Sequence, residues 1–429
     1  MEHVTSAKRP WLMVILLLLA GSGHADVWET REQWNEQWEA RFNEWMGVRY
    51  TSNIFTEGEY AGIPHDCADS AYFARLLFAY ENGLPFVIRD PAWVGPGSTR
   101  GPSFAELIAE HGEDSPYALV RPFIRNDMDD FDELPGEQRL LAFMQFVSDV
   151  VWTRSLLNDT YPVRIDRQWF RPGVVAVLPR QDYLIEPHPF FDAEEDRVEV
   201  VETAGHAQIV TEIDQRGVIH YLKSTMPAKV QALRSTTLNS FVPSADGGSF
   251  RYWKQPHQYD IDEDQLPGYG TEQFDIEGVF EEAVQPRLAN VQETRAERLQ
   301  RLSGEVCTQL HERVPVVMNA WRHKLQIGQI HCMQYEEYDI HSTPLRDSKI
   351  RLALEQLLRA AGSNTIDDKL AKTLNASCAS IEYAPGASLA AADAARHLLD
   401  GSASSDPNQP PAVRWGQAAV EPHGCRLFY

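Results

Sequence analysis

The hydrophobic pattern changes its period twice along this chain of 429 residues. In the first part, apolar residues recur at the spacing of amphipathic helices, as in EQRLLAFMQFVSDVVW. Short β-branched runs then follow, RPGVVAVLP, GHAQIVTEI and VIHYLKST, with DQRG joining the last two as in a hairpin and SFRYWKQP as a further candidate strand. The helical spacing returns from about residue 275. This order predicts an α+β domain with an antiparallel sheet, followed by a mainly helical domain.

The N-terminus has the layout of a secretory signal peptide. Lys8 and Arg9 precede an apolar run from Trp11 to Ala20, and small residues lead to Ala25. The run is short for a membrane span, and no later stretch is long and apolar enough for one. We therefore expect cleavage after Ala25, no membrane span, and a periplasmic or secreted protein.

A mature chain of this length predicts more than one domain. The helical spacing should be interrupted near Pro286 and Pro315, and the segment GSASSDPNQPP should be mobile. The predicted parts are a signal peptide over 1–25, an amphipathic helix over 26–49 that docks on the core, an α+β domain over 50–270, a helical domain over 271–400, and a tail over 401–429.

The formal net charge of -23 predicts an acidic surface. Such a surface repels polyanions and therefore argues against nucleic acid and anionic lipid as partners. No motif points to a metal or an organic cofactor, so we expect neither. The sequence pattern assigns no oligomeric state.

The chain has five cysteines, and four of them fall in its C-terminal third. Export to an oxidising compartment predicts that these four form two disulfides, for which three pairings are possible. Cys67 is left over, either as a buried small residue or as a nucleophile. The disulfide candidates are Cys307, Cys332, Cys378 and Cys425.

Cys67 lies in GIPHDCADSAYFARLLFAY, where a turn becomes a helix. The thiolate is the nucleophilic form of cysteine, and the N-terminus of a helix favours that anion. Asp66 and Asp69 oppose it, because they bring negative charge to the same place. A histidine would therefore have to accept the thiol proton.

Two histidines fall on the predicted strands. His206 follows Gly205 at the start of one strand, where the absence of a side chain at Gly205 permits close backbone packing. His220 is expected to face residue 211, about 17 Å further along the hairpin at ~3.3 Å per residue. We therefore select His206 as the candidate base and interpret His220 as structural.

Three elements in this order resemble the NlpC-type and CHAP cell-wall cysteine peptidases, which have a papain-like fold. These elements are a cysteine beginning a helix within DC, the Pro-Gly-led strand RPGVVAV, and the strand GHAQIV followed by a hairpin. The resemblance covers residues 50–255. It implies that Cys67 attacks the acyl carbon of an amide, while His206 first accepts the thiol proton and then protonates the leaving amine.

The resemblance also implies a substrate in peptidoglycan and two further residues. Ser224 falls where these families place the residue that orients the histidine, although a hydroxyl cannot stabilise imidazolium by charge as a carboxylate does. Tyr60 resembles the upstream tyrosine of the NlpC type, and the Cys67 backbone N–H would contribute to an oxyanion hole.

The leading hypothesis is therefore an exported cysteine hydrolase that cleaves amide bonds. A transglutaminase-like enzyme or a general protein peptidase uses the same chemistry on other substrates. A different class is a catalytically inactive papain-like module that binds or scaffolds. The hydroxyl at Ser224 and the two aspartates beside Cys67 favour the inactive module, whereas the presence of both Cys67 and His206 favours an enzyme.

Overall fold

The structure of the protein is a computed structural model. It describes residues 26–93, 112, 120–178, 181–185, 199–203, 205–239, 241, 243–245, 248–328 and 330–428. The predicted signal peptide, residues 1–25, lies outside these ranges. Within them, no helix combines the length and the apolar character that crossing a membrane requires.

Helices and strands alternate in the first two thirds of the described chain, and helices dominate the last third. The α-helices are α1 (Glu36–Val48), α2 (Cys67–Asn82), α3 (Gly136–Val150), α4 (Leu156–Asp159), α5 (Phe280–Leu288), α6 (Arg295–Ile327), α7 (Tyr335–His341), α8 (Pro344–Ala361), α9 (Asp368–Ser377), α10 (Ala391–Leu399) and α11 (Pro411–Arg414). The strands are β1 (Val87–Arg89), β2 (Phe123–Arg125), β3 (Thr160–Pro162), β4 (Val175–Leu178), β5 (Gln181–Ile185), β6 (Glu199–Thr203), β7 (His206–Ile213), β8 (Ile219–Lys223), β9 (Arg234–Thr236), β10 (Ser249–Trp253), β11 (Ile381–Ala384) and β12 (Ala387–Leu389).

The N-terminal segment packs its aromatic face onto the core, as predicted, but its helix is shorter than residues 26–49. α1 begins at Glu36 because the Asn35 side chain accepts hydrogen bonds from two backbone N–H groups of the first turn. Trp28 and Trp34 lie before the helix, and their indole N–H groups donate to backbone carbonyls that follow α2, at 2.9 and 2.7 Å. The aromatic residues therefore anchor an extended segment as well as a helix.

A buried ion pair joins α1 to α2. Arg75 on α2 donates two hydrogen bonds to the Glu39 carboxylate on α1, at 2.9 and 2.7 Å, and both side chains are at most 5% exposed. The Arg75 guanidinium also lies over the Trp34 ring, 3.3 Å from its centroid. The Tyr252 hydroxyl on β10 donates to Glu39 at 3.0 Å, which ties both helices to the sheet.

The central sheet is antiparallel, as predicted, with six strands in the order β3-β10-β4-β7-β8-β9. β7 is flanked by β4 and β8, and it forms the predicted hairpin with β8. The expected register along this hairpin is wrong at one point. His220 pairs with Glu212 and not with residue 211, because a bulge between Val210 and Glu212 adds one residue to β7.

The two faces of the sheet bury different clusters. Side chains alternate between the faces of a strand, so neighbouring residues of β7 face opposite ways. Ala207 and Ile209 belong to the cluster that includes α2. Val210 belongs to a second cluster on the other face, together with Tyr221 of β8.

The C-terminal helices form a core of their own around α6, which packs against α8 and α9. Two disulfides cross-link this part, as predicted, and the structure selects one of the three pairings. Cys307 on α6 is bonded to Cys378 after α9, and Cys332 is bonded to Cys425 near the C-terminus. Such bridges suit an oxidising compartment.

Two local predictions for this region are wrong, and one is confirmed. The helical spacing is interrupted near Pro286, as predicted, because α5 ends at Leu288 and α6 begins only at Arg295. Pro315 instead lies inside α6, which is 33 residues long. A proline removes one backbone hydrogen bond, and here the buried residues on either side, such as Leu310 and Val317, hold the helix in place. The segment predicted as mobile is packed, with Asn408 and Gln409 at most 5% exposed.

Removing the Cys307–Cys378 bridge should destabilise the helical part. The two cysteines are 71 residues apart in sequence, so the bridge restricts a long loop in the unfolded chain. We expect a Cys307→Ala, Cys378→Ala variant to lose about 2–4 kcal/mol of unfolding free energy in urea. Reductant should lower the midpoint of the unchanged protein more than that of the variant. An unaltered midpoint in the variant would contradict the prediction.

Candidate functional site

Cys67 is the first residue of α2, as the sequence predicts, and a capping box fixes this start. The Asp66 carboxylate accepts hydrogen bonds from the backbone N–H groups of Ala68 and Asp69. In return, the Asp69 carboxylate accepts from the Asp66 N–H at 2.8 Å. The two aspartates therefore stabilise the first turn of α2. The backbone N–H groups that could stabilise a thiolate already donate hydrogen bonds to the Asp66 carboxylate.

The Cys67 thiol is buried against the start of β7. Its side chain is 3% exposed, and Sγ lies 4.0 Å from the Gly205 carbonyl oxygen and 4.0 Å from the Thr153 hydroxyl. Burial first, and then the charge of Asp66, raise the pKa of Cys67 to about 11. The Ala207 N–H and Thr153 act in the opposite direction but are outweighed. The thiol is therefore protonated at neutral pH.

No hydrogen bond joins His206 to the Cys67 thiol among the described residues. By strand alternation His206 shares the face of Val210, opposite the face that Ala207 presents to α2. Its Nε2 is buried and has no hydrogen-bond partner among the described residues. Burial, followed by the nearby charges of Lys349 and Lys223, lowers the pKa of His206 well below 6.5, so the imidazole is neutral.

Neither of the other two candidates forms a hydrogen bond with the His206 ring among the described residues. Ser224 lies near His65, where its hydroxyl donates to the His65 carbonyl at 3.4 Å and accepts from the Gln231 amide at 3.0 Å. The Tyr60 hydroxyl donates to Glu81 at 3.0 Å. Glu81 is in the last turn of α2, roughly 20 Å from the Cys67 end at ~1.5 Å per residue. Tyr60 is therefore far from the thiol, and no hydrogen bond links Cys67, His206 and Ser224 in the described part of the chain.

Residues of the C-terminal helices reach the face that carries His206. Lys349 and Arg346 lie three positions apart on α8, and therefore on one side of that helix. Burial, together with the charges of Lys223 and Arg346, lowers the pKa of Lys349 to about 7. The structure thus brings cations from the sheet and from the helices to the same place.

A groove of about 490 Å³ lies between β9 and α6. Arg234 of β9 and Glu312 of α6 line it, and they approach to 3.5 Å. Glu305 lies deeper in the same groove, where its carboxylate accepts hydrogen bonds from the Thr236 hydroxyl at 2.7 Å and the Thr237 N–H at 2.9 Å. The groove is therefore shared by the sheet and the helical part.

One group of potential metal ligands occurs in the described residues. Cys307, His311 and Cys378 bring ligand atoms within 4.8 Å of one another. The two sulfurs are bonded to each other, however, and a disulfide sulfur is not the thiolate that binds a metal. The two cysteines of this group therefore form a cross-link and do not offer thiolates to a metal ion.

Sequence reasoning missed most of the residues that surround the two candidates. The capping box was visible as an aspartate on either side of Cys67, three positions apart. The contacts of Lys349 with the His206 face had no local signal, because α8 follows β7 by more than a hundred residues. The position of Thr153 beside the thiol had no local signal either, because it depends on a tertiary contact.

Comparison with protein-family models, with curated proteins and with solved structures gave no match.

The neutral state of His206 predicts a loss of stability in acid. In the unfolded chain a histidine binds a proton near pH 6.5, whereas folded His206 does so only at a much lower pH. Stability should therefore fall as the pH drops below 6.5, and a His206→Gln variant should bind about one proton fewer on acid unfolding. Urea unfolding between pH 7 and 5, with an NMR titration of the imidazole, measures this. Titration of folded His206 near pH 6.5 would contradict it.

Proposed function

We propose that this chain is an exported binding module with a papain-like arrangement in which Cys67 has a structural role. The observation that carries the proposal is that the Cys67 thiol has the Thr153 hydroxyl and the Gly205 carbonyl as its neighbours, with no hydrogen bond to His206 among the described residues. A Cys–His mechanism requires the two side chains within hydrogen-bond distance. A protonated thiol, and an imidazole whose Nε2 has no partner among the described residues, fit a module that does not use them together.

The groove between β9 and α6 supports binding as the activity. It is formed by two separate parts of the chain, and ligand sites are often found at such interfaces. Most of the residues that line it are polar, and they include charged groups of both signs, such as Arg301 and Glu312. A ligand with hydrogen-bonding and charged groups suits this lining, and the resemblance to cell-wall enzymes suggests peptidoglycan or a peptide.

Sedimentation with purified peptidoglycan sacculi tests the proposal. The mature protein and a Cys67→Ser variant should be retained to the same extent, and neither should release soluble fragments or new amino groups. The Cys67→Ser change is the matched control because it removes the nucleophile with a small change in volume. Fragments released by the unchanged protein and absent with the variant would overturn the proposal.

The second candidate function is hydrolysis of an amide bond by Cys67. One observation favours it: Cys67 is the free cysteine of a chain whose other four cysteines are paired, and it begins α2 beside β7. In this alternative, the imidazole of His206 would have to come within hydrogen-bond distance of the Cys67 thiol, and the thiol would have to become exposed. Transglutaminase-like transfer or general peptide cleavage would use the same two groups.

A further inference from the structure

Four cationic side chains cluster where the sheet meets the C-terminal helices. Lys223 ends β8 and is paired with Arg234 of β9 across the sheet. Arg346 and Lys349 approach from α8: the charge of Arg346 acts on Lys223 and Lys349, and that of Arg234 acts on Lys223 and Arg346. We call these four residues the cationic cluster. It draws on β8, β9 and α8, and α8 lies more than 100 residues after the two strands.

The acidic groups around the cationic cluster are too few to neutralise it. Glu312 is shared, because its carboxylate lies 3.9 Å from the Lys223 ammonium and 3.5 Å from the Arg234 guanidinium. Glu305 is already hydrogen-bonded to Thr236 and Thr237. Asp347 acts on Arg346 but is already paired with Arg313. Four cations thus face three carboxylates, two of which have other partners, in a chain whose net charge is -23. A local excess of buried positive charge is costly unless an anion compensates it.

His206 faces the same place with an unused polar atom. Lys349 and Lys223 are the charged groups that act on its ring. Its buried Nε2 has no partner among the described residues, although buried polar groups are almost always hydrogen-bonded. With its proton on Nε2, a neutral imidazole donates a hydrogen bond, as a bound anion requires.

The groove provides access to the cationic cluster. Arg234 and Glu312 belong both to the lining of the groove and to the charge contacts of Lys223. Lys223 itself is only 4% exposed, so a ligand would reach it through the groove and not across open surface.

We propose that Lys223, Lys349 and His206 form a site for an oxyanion, a carboxylate or phosphate group of the ligand that enters the groove. Ammonium groups and an imidazole N–H bind such oxygens by charge-assisted hydrogen bonds. The inference deepens the proposed binding function and rests on it. It assigns an anionic ligand to a protein whose overall charge would otherwise repel one.

Titration of the mature protein with phosphate and with succinate, at constant ionic strength set by sodium chloride, tests the site. We expect at least one of the two oxyanions to raise the midpoint of thermal unfolding in a saturable way. The arm with the larger effect distinguishes a phosphate ligand from a carboxylate ligand. Lys349→Met and Lys223→Met should weaken binding by about 10- to 100-fold, the loss of one charged hydrogen bond. Lys372→Met, at an exposed position of α9, is the matched control and should bind as the unchanged protein does.

The anion-free proteins show whether a variant has merely failed to fold. Lys349 is held among like charges, so its replacement by methionine should leave the midpoint of the anion-free protein equal or higher. Loss of anion binding together with retained stability is therefore a specific result. The His206 imidazole resonances should shift on addition of the anion in the unchanged protein and in Lys372→Met, but not in Lys349→Met.

Two results would overturn the site: chloride acting as strongly as both oxyanions, or equal binding by all three lysine variants. Because the titration uses small anions, its outcome is separate from sedimentation with sacculi. Anion binding without retention on sacculi would support the site and reject peptidoglycan as the ligand. Retention on sacculi without anion binding would reject the site alone.

Discussion

Iodoacetamide should modify Cys67 about 100-fold more slowly at neutral pH than it modifies an unperturbed thiol. The reason is the raised pKa of Cys67, about 11 against an ordinary 9.0, which lowers the thiolate fraction by two factors of ten. A side chain that is 3% exposed is also poorly accessible, so the rate should fall further. The measurement is the rate of alkylation between pH 6 and 10, followed at Cys67 by mass spectrometry.

A His206→Ala variant and the unfolded protein complete this experiment. The groups that set the pKa of Cys67 do not include His206, so its removal should leave the pH profile of Cys67 unchanged. In urea, with both disulfides intact, the thiol should react with the midpoint of an ordinary cysteine. A midpoint below 8.5 in the folded protein, lost in the variant, would instead establish an activated Cys67–His206 pair and favour the hydrolase.

The class of fold was predictable because hydrophobic period reports local geometry. GHAQIVTEI and VIHYLKST became β7 and β8, and SFRYWKQP contains β10. The strand order could not be predicted from the sequence. β10 lies between β3 and β4, and no local sequence pattern encodes the contacts that place it there. The bulge in β7 had no sequence signal either, and it alone displaced His220 by one residue.

The candidate site was predictable in part, for the same physical reason. The start of α2 at Cys67 was predicted correctly, because it depends on a capping pattern that is local in the sequence. The side of β7 that carries His206 depends on which residues α2 covers, which is a tertiary choice. Gly205 shows the difference: the sequence predicts close packing there, and the structure shows that the group packed against its carbonyl is the thiol of Cys67.

Replacing Arg75 by methionine should cost about 3–5 kcal/mol of unfolding free energy, because it leaves the buried Glu39 carboxylate without its partner. Both side chains are at most 5% exposed, so water cannot replace the lost hydrogen bonds. The loss also removes the cation that lies 3.3 Å over the Trp34 ring. Urea unfolding at pH 7, followed by tryptophan fluorescence and by circular dichroism, measures the change.

A second variant separates the ion pair from simple loss of packing. The double change Glu39→Met, Arg75→Met removes both charges, so it should lose clearly less than the sum of the two single changes. The matched control is Arg125→Met, which breaks the ion pair with Asp127 at an exposed position, 51% and 41% exposed, and should change stability by less than about 1 kcal/mol. Additive losses of unfolding free energy would mean that Glu39 and Arg75 act independently. The ion pair would then not stabilise the packing of α1 against α2.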